Sequence, residues 1–288
     1  MNTIEIDYNL VKSLNPKIEP SPNFGDNGRL LIIGGSKIQV SPLILSLRTA
    51  EYCGLDSIYV AAPEKIINRI AFISPYTTII PLSDLKITHG IVRKILRLIE
   101  RRKIVIDTVL IGPGLTGIGK EIAALIYNLS KMDINVVIDS GAIYPETVKL
   151  VKFKNVIYAP KVGELRIILG EEYSRDVISS LSKYKSDYVI LVKDYMQYIV
   201  YDGSEAYVIK SDKYTVTKHG LFYILTGLLS GLYAIYKDPV KSAIISVYLV
   251  VKTYENIFEK YRLHYTLDEY IMELRSSLKK IIWEGSTD

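Results

Sequence analysis

The sequence predicts an α/β protein, a mostly parallel β-sheet covered by helices on both faces. Three observations predict it. Short, wholly apolar runs alternate with segments of helical spacing from residue 29 to about 193, and continuous apolar runs mark strands buried on both faces. Glycine clusters close two of these runs, at Gly34-Gly35-Ser36 and Gly112-Pro113-Gly114, where a strand must turn sharply into a helix. The 288 residues, 49% apolar and 23% charged, suffice for a full core and exclude disorder for the bulk of the chain.

Arg29–Ile33 reads as the first buried strand, and Pro42–Tyr52 as a helix through Leu43, Leu47 and Ala50. Ser57–Ala61 is the next strand, Pro63–Phe72 a helix and Thr77–Pro81 a strand. In His89–Arg101 the residues Ile91, Ile95, Leu98 and Ile99 share one helical face. Asp107–Ile111 is a strand, Ile118–Ser130 a helix, and Asn135–Asp139 a strand ending in a carboxylate. Asn155–Tyr158 is a strand, then Val162–Leu169 a helix stopped by Gly170. Three strands follow, Tyr188–Lys193, Tyr198–Tyr201 and Ala206–Ile209, the last two joined by an Asp202-Gly203 turn. The remainder is helical: Leu221–Tyr236, Pro239–Lys260 and Leu267–Trp283. In a sheet of this kind ligands bind beyond the carboxyl ends of the strands, where the glycine clusters and Gly163 fall.

Composition narrows the function. The net charge of +5, from 36 basic and 31 acidic residues, is spread along the chain. The densest basic run, Arg101-Arg102-Lys103, has no interleaved aromatics and reads as a solvated helix end, so no nucleic-acid partner is expected. A single cysteine, Cys53, excludes an internal disulfide framework, and three scattered histidines give no metal-ligand spacing. Met1–Leu10 lacks the basic and apolar regions of a secretory signal, which predicts a cytoplasmic protein. Gly220–Tyr236 is uncharged over 17 residues and contains Gly227-x-x-x-Gly231, a membrane-helix spacing. Its three glycines, three tyrosines, Thr226 and Ser230 predict a buried core helix instead. Only two glutamines among many lysines suggest a thermophilic source.

Gly114–Lys120 matches the GxxxxGK core of a phosphate-binding loop, between a strand and a helix. The next residue is Glu121, where a hydroxyl should hold magnesium, and a carboxylate there repels phosphate. A carboxylate favours a helix first turn, so a capped surface helix is the better reading.

The ordered motifs resemble the ADP/ATP-dependent NAD(P)H-hydrate dehydratases, a branch of the ribokinase-like superfamily. The matching stretches are Gly28–Ser36, Val60–Glu64, Asp107–Gly114, Val136–Asp139 and Ala159–Glu164, followed by Val189–Lys193, Tyr201–Gly203 and Ile224–Ala234. The resemblance implies a ribokinase-like three-layer fold as one domain over residues 1–288. An amino-terminal extension to residue 24 and a carboxyl-terminal helix from 262 belong to it. It also implies ADP or ATP with Mg as cofactor, hydrated NADH or NADPH (NADHX, NADPHX) as substrate, and association into a homo-oligomer or with an active relative. Seven tyrosines of the last helices, Tyr233, Tyr236, Tyr248, Tyr254, Tyr261, Tyr265 and Tyr270, are candidates for that contact, against ordinary packing.

The departures fall on the chemistry. The family's Gly-Thr/Ser-Gly-Asp turn reads Gly220-Leu221-Phe222-Tyr223. Tyr223 thus stands where the family has its acid–base aspartate, and Phe222 where a glycine exposes backbone amides to phosphate. A ring there is expected to fill the anion site at the helix N-terminus. No Asp or Glu occurs from residue 213 to 237. Tyrosine ordinarily ionises near pH 10, and the nearest cations in sequence are Lys218 and His219, so packing is the expected role of Tyr223. The family's histidine before Gly-Glu is Lys161, its second carboxylate after Asp139 is Gly141, its Gly-Ala-Pro is Val40-Ser41-Pro42, and its Lys-Gly is Lys193-Asp194. By resemblance, Lys193, Gly220 and Phe222 are the candidate nucleotide-binding positions, and Ser41, Gly114, Asp139 and Lys161 the candidate substrate-binding ones. Three functions follow. The first is a catalytically impaired family member, a pseudoenzyme or partner subunit. The second is an active nucleotide-dependent dehydratase with rearranged residues, Asp139 and Lys193 its best surviving polar groups. The third is a small-molecule kinase of the wider superfamily.

Overall fold

Thr3–Glu5, which shows no periodicity in the sequence, forms an edge strand, β1, and Tyr8–Ser13 a short helix, α1. The computed structural model describes residues 1–19, 21–83, 86–102, 104–195, 197–210 and 218–284. Of the basic run, Lys103 lies outside the described residues.

Strand and helix then alternate as the apolar runs predict. The first half contains β2 (Arg29–Ile33), α2 (Ser41–Ala50), β3 (Ser57–Pro63), α3 (Ile67–Ile73), β4 (Thr78–Leu82), α4 (His89–Arg102) and β5 (Thr108–Ile111). Next come α5 (Gly119–Lys131), β6 (Asn135–Asp139), α6 (Pro145–Leu150), β7 (Val156–Ala159), α7 (Val162–Leu169) and α8 (Val177–Lys183). The sheet finishes with β8 (Val189–Asp194), β9 (Gln197–Tyr201) and β10 (Ala206–Lys210). The chain closes with α9 (Leu221–Tyr236), α10 (Pro239–Tyr261) and α11 (Leu267–Leu278), the last running into a π-helical turn over Lys279–Glu284.

The strands form one ten-stranded sheet in the order β1-β10-β9-β8-β7-β6-β5-β2-β3-β4. Among the described residues only the β8–β9 and β9–β10 pairs are antiparallel. All four residues of β5 and of β7 are buried, as a strand covered on both faces requires. One core holds α1, α2, α3 and α9–α11 against one sheet face, and a second holds α4–α8 against the other.

Chain direction across the sheet reverses between β2 and β5: the chain runs outward to β3 and β4, then returns to β5 and continues through β6 to β8. The crevice beyond the carboxyl ends of β2 and β5 is therefore the topological switch point. The loops after β5 and β6 cross there without room for side chains. A Cβ on Gly141 would stand 2.1 Å from the Gly112 carbonyl oxygen, and one on Gly112 would stand 2.5 Å from that of Asp139.

The uncharged helix α9 is a core element, packed against α2 and α10. A Cβ on Gly227 would meet the Ser46 carbonyl oxygen at 2.3 Å, and one on Gly231 would meet the Cys53 Sγ at 2.5 Å. The small-residue spacing thus seats α9 on α2 and the turn after it. Among the described residues no helix is long and apolar enough to cross a membrane. Five of the seven tyrosines offered for an oligomer contact, Tyr233, Tyr248, Tyr254, Tyr265 and Tyr270, are instead buried within this chain. The Tyr270 hydroxyl donates to the Val250 carbonyl, and the Tyr236 hydroxyl to that of Pro16. Tyr261 alone of the seven is exposed, at 46%.

Candidate functional site

Two adjoining clefts open at the carboxyl edge of the sheet. The larger, about 560 Å³, lies in front of the first turn of α9 and reaches the ends of β7 and β8. Its cations are Lys161, Lys193 and Lys218, its aromatic walls Tyr195, Phe222, Tyr223 and the His219 imidazole, and among the described residues no carboxylate lines it. The smaller, about 380 Å³, lies at the switch point against Ser41, Gly114, Ser140 and Glu164. Lys161, His219 and Tyr223 line both.

Each wall is fixed by its element. Gly220 caps α9 at φ 117°, a left-handed conformation suited to glycine. The Tyr223 carbonyl accepts from the Ser46 hydroxyl at 2.9 Å, tying the first turn of α9 to α2. The Lys161 N–H donates to the Glu164 carboxylate at 2.9 Å, which closes the start of α7, and Lys161 bridges to Lys193 across the ends of β7 and β8. The Lys161 Nζ lies 3.5 Å from the Tyr223 hydroxyl and 5.5 Å from the centre of its ring. His219 meets the same ring edge-on at 6.2 Å.

Electrostatics differ between the clefts. Burial pulls the Lys193 ammonium below its ordinary range, so this charge is incompletely solvated. Lys218 donates to the Tyr265 carbonyl and sits 3.7 Å over that ring. Burial raises the Glu164 carboxyl, against the Lys161 N–H and charge that lower it.

Of the residues singled out in the sequence, Lys161, Lys193, Gly220, Phe222 and Tyr223 converge on the larger cleft, and Ser41, Gly114 and Lys161 on the smaller. Asp139 does not reach either surface. It is fully buried and accepts from Ser140 and from the Thr226 hydroxyl at 2.9 Å. Burial pushes its carboxyl up to about 6, against those hydrogen bonds and the Lys161 charge. The Phe222 ring is half-buried against the helical core and forms part of the wall, and the cleft before it stays open. Tyr195, 86% exposed at the turn after β8, belongs to the cleft and escaped the sequence reading. Only its place two residues after Lys193 could have marked it.

The GxxxxGK match does not build a phosphate loop. Helix α5 starts at Gly119, and the Glu121 carboxylate in its first turn faces His89 at 3.4 Å.

A family model described as NAD(P)H-hydrate dehydratase matches residues 30–276. The ADP-dependent (S)-NAD(P)H-hydrate dehydratase of Nitrosopumilus maritimus is 28% identical over 276 residues, covering 94% of this chain and 95% of that protein. A ribokinase-like superfamily protein of Enterococcus faecalis superposes with a TM-score of 0.76 at 18% identity, covering 97% of this chain and 96% of the other. The ADP/ATP-dependent NAD(P)H-hydrate dehydratase of Bacillus subtilis, co-crystallized with ATP/Mg2+, superposes with a TM-score of 0.75 at 19% identity, covering 97% and 99%. At these identities the two structures show the fold, which is ribokinase-like.

Proposed function

Because this chain belongs to the NAD(P)H-hydrate dehydratase family, we propose that it is a nucleotide-dependent dehydratase of hydrated NADH or NADPH. ADP or ATP occupies the larger cleft and the hydrate the smaller. The observation that carries this reading is the shared wall of Lys161, His219 and Tyr223 between a cleft whose charged described residues are all cationic and a polar one. Cations and aromatic faces suit a phosphate chain attached to a planar base. Lys193 and Lys161 would hold the phosphates. Magnesium would ride on those phosphates, since among the described residues the larger cleft offers no carboxylate to hold it.

A second reading is favoured by the residues at 222 and 223. With Phe222 and Tyr223 in the turn that opens α9, the chain is a catalytically impaired member that binds nucleotide and serves an active relative. Two measurements separate the readings. Calorimetric titration with magnesium ADP and magnesium ATP tests the cleft, and micromolar binding is expected. Turnover of hydrated NADH and NADPH with each nucleotide tests the chemistry. Binding with turnover supports the dehydratase, binding without turnover the impaired member, and no binding removes both.

A further inference from the structure

We propose that Tyr195 is the platform on which the base of the bound nucleotide stacks, so that the larger cleft selects purine nucleotides by ring area. The inference rests on the nucleotide reading of that cleft. The last pair of the β8–β9 hairpin is Asp194 with Gln197, which puts Tyr195 in the turn itself. The Asp194 carboxylate is 8% exposed and accepts from the Gln197 side chain at 3.1 Å, so the base of the turn is fixed. Neither turn chemistry nor burial asks for tyrosine at its tip. The Tyr195 φ is 44°, in the left-handed region, where Asn, Asp or Gly suits a hairpin turn and a bulky side chain costs stability. Its ring is 86% exposed, so water meets an aromatic surface that the core would bury with gain. A residue held against both preferences in the wall of a cleft points to a ligand.

The other rings of the cleft are placed for other contacts. Tyr223 and His219 border both clefts, where the two ligands would meet. Phe222 lies back on the helical core. Tyr195 lines the larger cleft alone and stands at its outer end, beyond Lys193 on the same strand. Burial disfavours the Lys193 ammonium until an anion reaches it. A nucleotide with its phosphates at Lys161 and Lys193 therefore carries its base outward along β8 to the turn.

The same wall sets what is read. Among the described residues no Asn, Gln, Asp, Glu, Ser or Thr side chain lines the larger cleft, so no side-chain amide, carboxylate or aliphatic hydroxyl stands ready for the edge of a base. Recognition through an aromatic face depends on stacked area and treats bases of equal size alike. Adenine and guanine then bind similarly, and the smaller pyrimidines bind more weakly.

The test is calorimetric titration of the full chain with the magnesium complexes of ADP, GDP and UDP. Wild type should bind ADP and GDP within about threefold of each other and UDP more weakly than either. Tyr195→Ala should weaken ADP binding about tenfold or more, and Tyr195→Phe, which keeps the ring, by less than about threefold. Tyr195→Asn suits the turn, so its melting temperature should rise by about 2 °C while its ADP affinity falls as in Tyr195→Ala. A fall in both would mark Tyr195 as a structural residue and overturn the proposal. Tyr195→Trp adds a spectroscopic readout, because the chain's single tryptophan, Trp283, lies in the closing π-helical turn. ADP should quench the emission of this variant and leave that of wild type unchanged. No binding of ADP or ATP to wild type overturns the nucleotide reading and this inference together. Wild type that binds, with Tyr195→Ala within about threefold of it, overturns this inference alone. So does a preference for ADP over GDP beyond about tenfold, which requires a hydrogen-bonded base edge.

Discussion

The Thr226 hydroxyl donates to the Asp139 carboxylate at 2.9 Å across 87 residues of sequence, joining the end of β6 to the second turn of α9. This bond places a buried acid directly beneath the turn that carries Phe222 and Tyr223. Its cost is visible in the acid, whose pKa burial raises from 3.8 to about 6.

That shift predicts a pH dependence of stability. Between about pH 4 and 6 the folded chain holds the Asp139 proton and the unfolded chain has released it. Stability from this group is therefore full below the unfolded pKa and is lost as pH rises through the folded one. A rise from 3.8 to about 6 corresponds to about 3 kcal/mol. Urea unfolding of wild type and Asp139→Asn at pH 4, 5, 6 and 7 separates Asp139 from the other carboxyls, since those titrate in both proteins. The wild type should lose stability relative to the variant as pH rises across this window. A difference that does not change with pH would show that Asp139 does not titrate there.

The seat of α9 on α2 predicts a packing effect. Gly227→Ala sets a methyl 2.3 Å from the Ser46 carbonyl, which is backbone and can move only with its helix. Overpacking of this kind costs about 1–3 kcal/mol, against roughly 1 kcal/mol that alanine gains over glycine in a helix. Net destabilisation is expected in denaturant melts. It should come with weaker nucleotide binding, because Ser46 also holds the first turn of α9 through Tyr223. Gly163→Ala is the control, since its added carbon meets nothing within 4 Å.

The sheet and its helices were legible because burial on both faces leaves apolar runs. Asn135–Asp139, Val162–Leu169 and Leu221–Tyr236 have the bounds their sequences suggest. Thr3–Glu5 was not legible: three residues show no period, and they form a strand only by pairing with Ala206–Val208. Pro145–Leu150 and Val177–Lys183 are barely two turns long, too short for a helical period to emerge. The site was legible as a set of loops. What the sequence hid was the approach of Lys161 to Tyr223 over 62 residues, because only the folded order of β7 beside β8 brings α7 to the start of α9. The depth of Asp139 was hidden for the same reason, since a carboxylate at a strand end reads equally as a ligand or as a buried acceptor.

The charge of the larger cleft predicts which lysine matters most for nucleotide. Lys218 is already engaged by the Tyr265 carbonyl and ring. Lys193 has no carboxylate partner among the described residues, and burial disfavours its charge until an anion arrives. A charge-assisted contact contributes about 1.5–3 kcal/mol, so Lys193→Met should weaken ADP binding by roughly 10- to 100-fold. Lys218→Met should weaken it less and lower stability more. Wild-type affinity should fall as salt rises, since these cations are screened near the surface. Equal losses from both variants would place the phosphates elsewhere.

Phe222 predicts a gain rather than a loss. It is the second residue of α9, where backbone N–H groups face outward and attract anions. Its ring forms part of the wall of the larger cleft and rests half-buried on the helical core. An anion therefore reaches those groups past an apolar face that it must desolvate against. Phe222→Ala removes the ring and keeps the helix, and ADP affinity should rise by about tenfold, the worth of one hydrogen bond of about 1.4 kcal/mol. Phe222→Gly should bind at least as tightly, at a further stability loss of about 1 kcal/mol from glycine in the first turn. Calorimetric titration at low and high salt distinguishes the causes: a gain that shrinks with salt belongs to the exposed amides and neighbouring lysines, whereas a salt-independent gain belongs to added room for the base. Unchanged affinity in both variants would mean that the ring leaves the phosphate path clear.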